Sequence, residues 1–242
     1  MENIAIVLAA GKGSRMKSEI PKPLHLIKDK TMVYTLVEKL SNSKKFSKIL
    51  VVIGTDSKGI IDNLEPFKKE ITYIIQKEQM GTGHAVKCCE NYLKDYPKHR
   101  SLILFADCPL LSIDTINKIL DKKGDCVACI CEKENPKGCG RIILDSNGKI
   151  INSIEEKDCT EEQRKIKLTN VGIYLIENQL ITQYIGEVKN NNSQKEYYLP
   201  DLMLILVEKM YNVVPVKLDN PNELININTR EDLRLANGVK FF

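Results

Sequence analysis

The sequence has no tryptophan, only three histidines and five phenylalanines in 242 residues. Aromatic residues make up 6%, and no dense basic block interleaves with them, so nothing supports a surface built to stack nucleic-acid bases. Long apolar runs are missing too. The first run, Ile4 to Ala10, is too short to span a bilayer and follows the acidic Glu2, so neither membrane insertion nor a signal peptide is expected. A cytoplasmic protein is the expectation. There is no GxxxxGK[ST] phosphate loop, no GxGxxG dinucleotide fingerprint and no G-x-S-x-G nucleophile elbow. His25, His84 and His99 make no metal set, and His84 reads as packing near its turn or making a local hydrogen bond. No internal repeat and no low-complexity linker interrupts the chain.

The balance that remains is globular: 43% hydrophobic, 28% charged and a mild net charge of +4. A compact chain of this length buries about 70% of its unfolded surface, enough for its own core. A single domain over residues 1–242 is expected, in two halves, residues 1–111 and 112–242. Of the eight cysteines, Cys126, Cys129, Cys131 and Cys139 contain a C-x-x-C spacing that invites a zinc reading. The run around the first three also reads as a buried strand of small apolar side chains, whose alternation splits Cys126 from the other two. The strand reading is preferred.

Apolar runs at residues 4–8, 48–54, 71–76 and 101–111 read as buried strands, residues 32–40 and 114–120 as helices, and residues 81–93 as a glycine turn followed by a helix. Strand, loop, helix, repeated, implies an α/β sandwich with a mainly parallel sheet. The second half changes character. GRIIL, DSNG and KIINSIEE form a hairpin pattern, residues 170–176 and 212–219 read as strands, and Thr229 is placed to cap a closing helix.

In such sheets ligands sit beyond the carboxyl ends of the strands, so features that follow strands converge even when far apart in sequence. The stretch LAAGKGSRMKSEIPKPLH follows the first strand. Gly11 and Gly13 let backbone N–H groups approach an anion, Arg15 offers a forked donor, and Lys22 adds a mobile charge. The alternative is a glycine turn with a solvated basic edge. Asp107 ends the fourth strand, just before Pro109. A carboxylate there suits Mg²⁺, and it equally suits a turn cap.

Taken together, LAAGKGSRMKSEIPKPLH, QKEQMGTGHA (76–85), FADCPLL (105–111), GCGRI (138–142), IEEKDCTEEQ (154–163), TNVGIYL (169–175), NNSQKEYYLPD (191–201) and NINTREDL (226–233) resemble, in order, the sugar-phosphate nucleotidyltransferases. The nearest branch is the uridyltransferase domain of bacterial N-acetylglucosamine-1-phosphate uridyltransferase. The resemblance implies a three-layer α/β fold with a mainly parallel, mixed central sheet and a small antiparallel region on the substrate side. It implies transfer of a uridylyl group from UTP to a sugar 1-phosphate, with Mg²⁺ as cofactor and pyrophosphate as leaving group. Leu8, Ala9, Ala10, Gly11, Gly13 and Arg15 would hold the phosphates, and Gln76, Gly81 and Thr82 the base. Arg15, Lys22 and Asp107 would be catalytic, Asp107 and Asn228 would bind Mg²⁺, and Gly140, Glu155 and Asn170 would contact the sugar.

The chain departs from the family pattern at Phe105, Ala106, Val171, Lys195 and Pro200. These departures are expected on the sugar side, which leaves the acceptor more open than the reaction. A cytidylyltransferase or another phosphorylated acceptor is the enzymatic alternative, since a glutamine amide can turn to suit uracil or cytosine. A nucleotide-sugar-binding regulatory protein is the alternative of another class. The bifunctional relatives' hexapeptide-repeat acetyltransferase domain has no counterpart, so acetyl transfer is not expected. Oligomeric state is not readable from these residues.

Overall fold

The structure is a computed structural model and describes residues 2–11, 13–220, 222–224 and 226–238. Its first half runs β1 (Asn3–Leu8), β2 (Leu26–Ile27), β3 (Lys30–Thr31), α1 (Met32–Ser43), β4 (Phe46–Ile53), α2 (Lys58–Asn63) and β5 (Ile71–Ile75). There follow α3 (Thr82–Lys87), α4 (Glu90–Lys94), β6 (Arg100–Phe105) and α5 (Ile113–Leu120). The second half holds β7 (Cys126–Glu132), β8 (Arg141–Leu144), β9 (Ile150–Ile154), α6 (Glu161–Arg164) and β10 (Leu168–Glu177). It closes with α7 (Asn178–Tyr184), α8 (Leu199–Glu208), β11 (Val213–Lys217) and α9 (Arg230–Gly238).

The main sheet follows the order β11-β7-β10-β6-β1-β4-β5. Strands β5, β4, β1 and β6 are parallel neighbours, and β7 pairs in parallel with β11. Strand β10 lies between β6 and β7, antiparallel to both. The β8–β9 hairpin joins through a single Thr169–Arg141 pairing to β10. The sheet is therefore mixed and mostly parallel, as expected. The hairpin belongs to that sheet, and the separate antiparallel sheet is the two-stranded β2–β3. The hydrophobic pattern did not mark β2 or β3, because two-residue strands are too short to show a period.

Two cores flank the sheet, which gives the three layers. Alternation along β1 sends Ala5 and Val7 to one face and Ile4, Ile6 and Leu8 to the other. The first face packs on α1, α2 and α5, the second on α3, α4, α7 and α8. Helix α1 buries Met32, Val33, Leu36, Val37 and Leu40, the one-sided spacing read from sequence. Each such burial stabilises by roughly 2 kcal/mol relative to exposure. Thr31 starts the helix, its Oγ1 accepting from Tyr34 N at 3.2 Å, and Ser112 caps α5 in the same way through Thr115 N at 3.1 Å. The helix read within 81–93 is two, α3 and α4. Cys126 faces one core, and Cys129 and Cys131 the other, as the strand reading requires.

Strand β10 is not regular. Its register against β7 shifts between Asn170 and Tyr174. Gly172 within that bulge has φ +82, and its N–H donates to Asn170 Oδ1 at 2.9 Å. A Cβ on Gly172 would stand 2.7 Å from Phe105 Cε2. The bulge is thus tied both to left-handed backbone and to close approach. Gly172→Ala is expected to cost about 2 kcal/mol of stability, read as a lowered midpoint in urea unfolding.

Candidate active site

Loop 13–18 begins at Gly13, with φ +63, and turns through Ser14–Met16, where Met16 is buried and anchors the turn in the core. A Cβ on Gly13 would stand 2.5 Å from Lys22 Cβ. The glycine therefore serves Lys22, whose stem crosses the bare Cα. Lys12 lies outside the described residues. The Lys22 ammonium donates to Asp107 Oδ2 and, at 2.8 Å, to Asn228 Oδ1. Arg15 Nη2 donates to the same Asn228 oxygen at 2.8 Å. Asp107 is buried after β6, and its carbonyl accepts from Ile227 N at 3.0 Å, which fastens the Asn228 segment beside it. Lys39 Nζ holds the following loop through the carbonyls of Pro109, at 2.7 Å, and Leu111, at 3.1 Å.

This cluster stands on the wall between two cavities. The smaller, about 510 Å³, is lined by every residue expected to hold the nucleotide: Leu8, Ala9, Ala10, Gly11, Gly13, Arg15, Gln76, Gly81 and Thr82. Gln76 follows β5, and its Nε2 donates to Gly81 O at 3.1 Å. Gly81 has φ +108, and a Cβ there would meet Tyr197 O at 2.5 Å. Thr82 Oγ1 accepts from Leu199 N at 3.0 Å, which ties the GTG turn to the start of α8. Arg15, Lys22, Asp107 and Asn228 line both cavities.

The larger cavity, about 1020 Å³, is lined by Gly140, Glu155 and Asn170, the residues expected for the sugar. Both volumes are of the size that takes small-molecule ligands. Gly140 lets Glu155 lie close: a Cβ on it would be 3.1 Å from Glu155 Oε1. Asn170 hydrogen-bonds the Tyr174 hydroxyl, and its N–H donates to Gly140 O at 2.9 Å. Behind the glycine, the fully buried Arg141 pairs with Glu156 at 2.7 Å. Of the departures expected on the sugar side, Val171 and Pro200 border this cavity and Phe105 borders both. Ala106 does not: it borders the smaller cavity, and its side chain joins the core on the α1 face. Lys195 lines neither cavity, and its φ of +57 is a left-handed backbone that glycine adopts most easily.

One carboxylate and one amide oxygen converge on a single cation, the ammonium of Lys22, which is itself a test of whether the pair suits a metal. Among the described residues, no group of three or more His, Cys, Asp or Glu could hold an ion. Asp107 and Asn228 offer one carboxylate and one amide oxygen, the hard oxygen donors that a divalent cation prefers.

Several residues here escaped sequence reading. Asp232 Oδ2 accepts from Asn228 N at 3.0 Å and Thr229 N at 2.8 Å, and Thr229 Oγ1 accepts from Asp232 N at 3.1 Å. The capping of α9 thus also fixes Asn228, and the T-x-x-D spacing was the available signal. Arg230 donates to Lys17 O at 2.9 Å and Met16 O at 3.2 Å, clamping the basic loop to α9. Glu196 borders both cavities from the polar loop, where spacing gives no clue.

Glu155, which lines the larger cavity, has acidic neighbours. Burial, then Asp201 and Asp158, raises the Glu155 carboxyl above its usual range. Burial, with Asp158 adding repulsion, lifts Asp201 to about 6. A raised carboxyl favours the folded state fully below its unfolded value and loses that contribution as pH rises through the folded one. Asp201→Asn should match the wild type near pH 4 and exceed it by about 1 kcal/mol near pH 7, after allowance for solvent screening, in urea unfolding at the two pH values.

Comparisons with known proteins bear on the family. Residues 4–220 match the family described as nucleotidyl transferase. A bifunctional protein GlmU of Caldicellulosiruptor saccharolyticus is 36% identical over 235 residues, covering 96% of this chain and 50% of that protein. A protein of Acanthamoeba polyphaga mimivirus named "Probable UDP-N-acetylglucosamine pyrophosphorylase" is 38% identical over 242 residues, covering 96% of this chain and 94% of that one. The chain spans about half the length of the bacterial relatives it matches. A solved UDP-glucose pyrophosphorylase complexed with UDP-glucose shares the fold, with a TM-score of 0.77 over 98% of this chain and 97% of that chain at 18% identity. The chain belongs to the nucleotidyl transferase family and is related over nearly its whole length to one half of the bacterial GlmU proteins.

Proposed function

We propose that the protein transfers a uridylyl group from UTP to N-acetylglucosamine 1-phosphate, with Mg²⁺, releasing pyrophosphate. The observation that carries this reading is the position of Lys22, Arg15, Asp107 and Asn228 on the wall shared by the two cavities. A nucleoside triphosphate in the smaller cavity and a sugar 1-phosphate in the larger one would meet at that wall. The mimivirus relative's name and the GlmU matches support the acceptor.

An oxygen of the sugar phosphate attacks the α-phosphorus, and the bond to the β-phosphate oxygen breaks on the opposite side. The attacking oxygen is already anionic, so the step needs no strong general base. Positioning and charge neutralisation carry most of the rate. Arg15 and Lys22 turn from Asn228 and Asp107 toward phosphate oxygens. Bound by Asp107 and Asn228, Mg²⁺ supplies further neutralisation of phosphate charge. Gln76, Gly81 and Thr82 hold the base, and Glu155, Asn170 and the Gly140 backbone hold the sugar.

The test is pyrophosphate release with Mg²⁺, running UTP and CTP against a panel of sugar 1-phosphates and identifying the product by mass spectrometry. UDP-N-acetylglucosamine as the main product is the expected result. Release with another pair only would replace this specificity, and no release from folded protein would overturn the reading. Lys22→Ala should lower kcat about a hundredfold in protein that is still folded, as loss of a transition-state contact does, and should also lower the melting midpoint, because the buried Asp107 loses its counter-charge. Asp107→Ala should remove most of the Mg²⁺ dependence of the remaining rate.

A further inference from the structure

Resting on the reading of the smaller cavity as a nucleotide site, we propose that His84 sets its preference for uracil by holding the Gln76 amide in one orientation. His84 does not line that cavity. It acts through Gln76, as a positioning residue.

Gln76 Nε2 has two neighbours: Gly81 O at 3.1 Å and His84 Nδ1 at 3.0 Å. A backbone carbonyl only accepts, so the amide group facing it is the NH₂. The second hydrogen of that NH₂ then points at an imidazole nitrogen that must carry a lone pair. His84 is therefore neutral, with its proton on Nε2. Its surroundings favour that state. Burial and the Lys87 ammonium lower its proton affinity, Glu78 opposes them, and the Tyr197 ring lies tilted 6.3 Å away.

Both hydrogens of the Gln76 amide are thereby committed, and the part left for a base is Oε1. That acceptor matches uracil, whose N3 carries a hydrogen. Cytosine in the same place presents a bare N3, lone pair against lone pair. Turning the amide to suit cytosine would set Oε1 against both the Gly81 carbonyl and the His84 lone pair. The turn that sequence alone allowed is thus opposed from two sides. A site committed to one hydrogen-bonding pattern rejects the wrong partner strongly, because a polar group is left unmatched.

The test uses the whole chain with Mg²⁺ and compares UTP with CTP, by calorimetric binding and by kcat/KM, in the wild type and three variants. His84→Leu removes the acceptor and should cut the UTP-over-CTP ratio about tenfold, the effect of one hydrogen bond. His84→Lys puts a donor in its place and should bring the ratio near parity. His84→Gln, which can again offer an oxygen, should recover most of the preference. A folded His84→Leu protein with the wild-type ratio would overturn the proposal and leave the nucleotide reading intact. So would equal losses for both nucleotides. A wild type that binds neither nucleotide would overturn the proposal and the nucleotide reading together.

Discussion

The Lys22 ammonium reaches two oxygens that the chain brings from distant places, one on Asp107 at the end of β6 and one on Asn228 before α9. Three segments meet on one positive charge. Removing it would leave a buried carboxylate and an amide oxygen facing each other without compensation, which the interior does not tolerate cheaply. The crossing of the Lys22 stem over Gly13, the clamp of Arg230 on the loop carbonyls and the Asp232 cap all act to keep this meeting in register. A charge so placed is held by oxygens alone, so phosphate oxygens are natural competitors for it.

The sheet makes the meeting possible. Strands β1 and β6 are parallel neighbours, with Leu8 opposite Phe105, so the basic loop and Asp107 leave the sheet at the same edge. Strand β5 reaches that edge two strands away and delivers Gln76. The second half of the chain enters as β10, beside β6, and its bulge carries Asn170 to the other side of Asp107. One sheet edge thus divides two cavities and keeps the charged cluster on the boundary. Transfer between two bound phosphates requires that arrangement, because the reacting groups must be in line and screened from each other's charge.

The outline of this architecture was legible in the residues. Buried parallel strands need continuous apolar runs, and helices on a sheet need one-sided ones, so β1, β4, β5, β6, α1 and α5 declared themselves. The glycines, the two cations and the acid after β6 marked the ligand edge by their type and place. The short β2–β3 pair, the break between α3 and α4 and the attachment of the hairpin did not show, because each depends on contacts that no local period encodes. Lys195 illustrates the limit from the other side: its turn is visible, but its distance from both cavities is not.

The sequence alone determined the alternation of buried faces, the order of the elements and which side chains are candidates for the chemistry, since these follow from residue type and short-range spacing. Tertiary structure decided everything that rests on partners. It set which oxygens share Lys22, why Gly13 and Gly81 must lack a side chain, and that Ala106 borders the smaller cavity. It also fixed the orientation of the Gln76 amide, through Gly81 and His84. Hydrogen bonds and close approaches are set by distance in space, and distance in space is settled only when the whole chain packs.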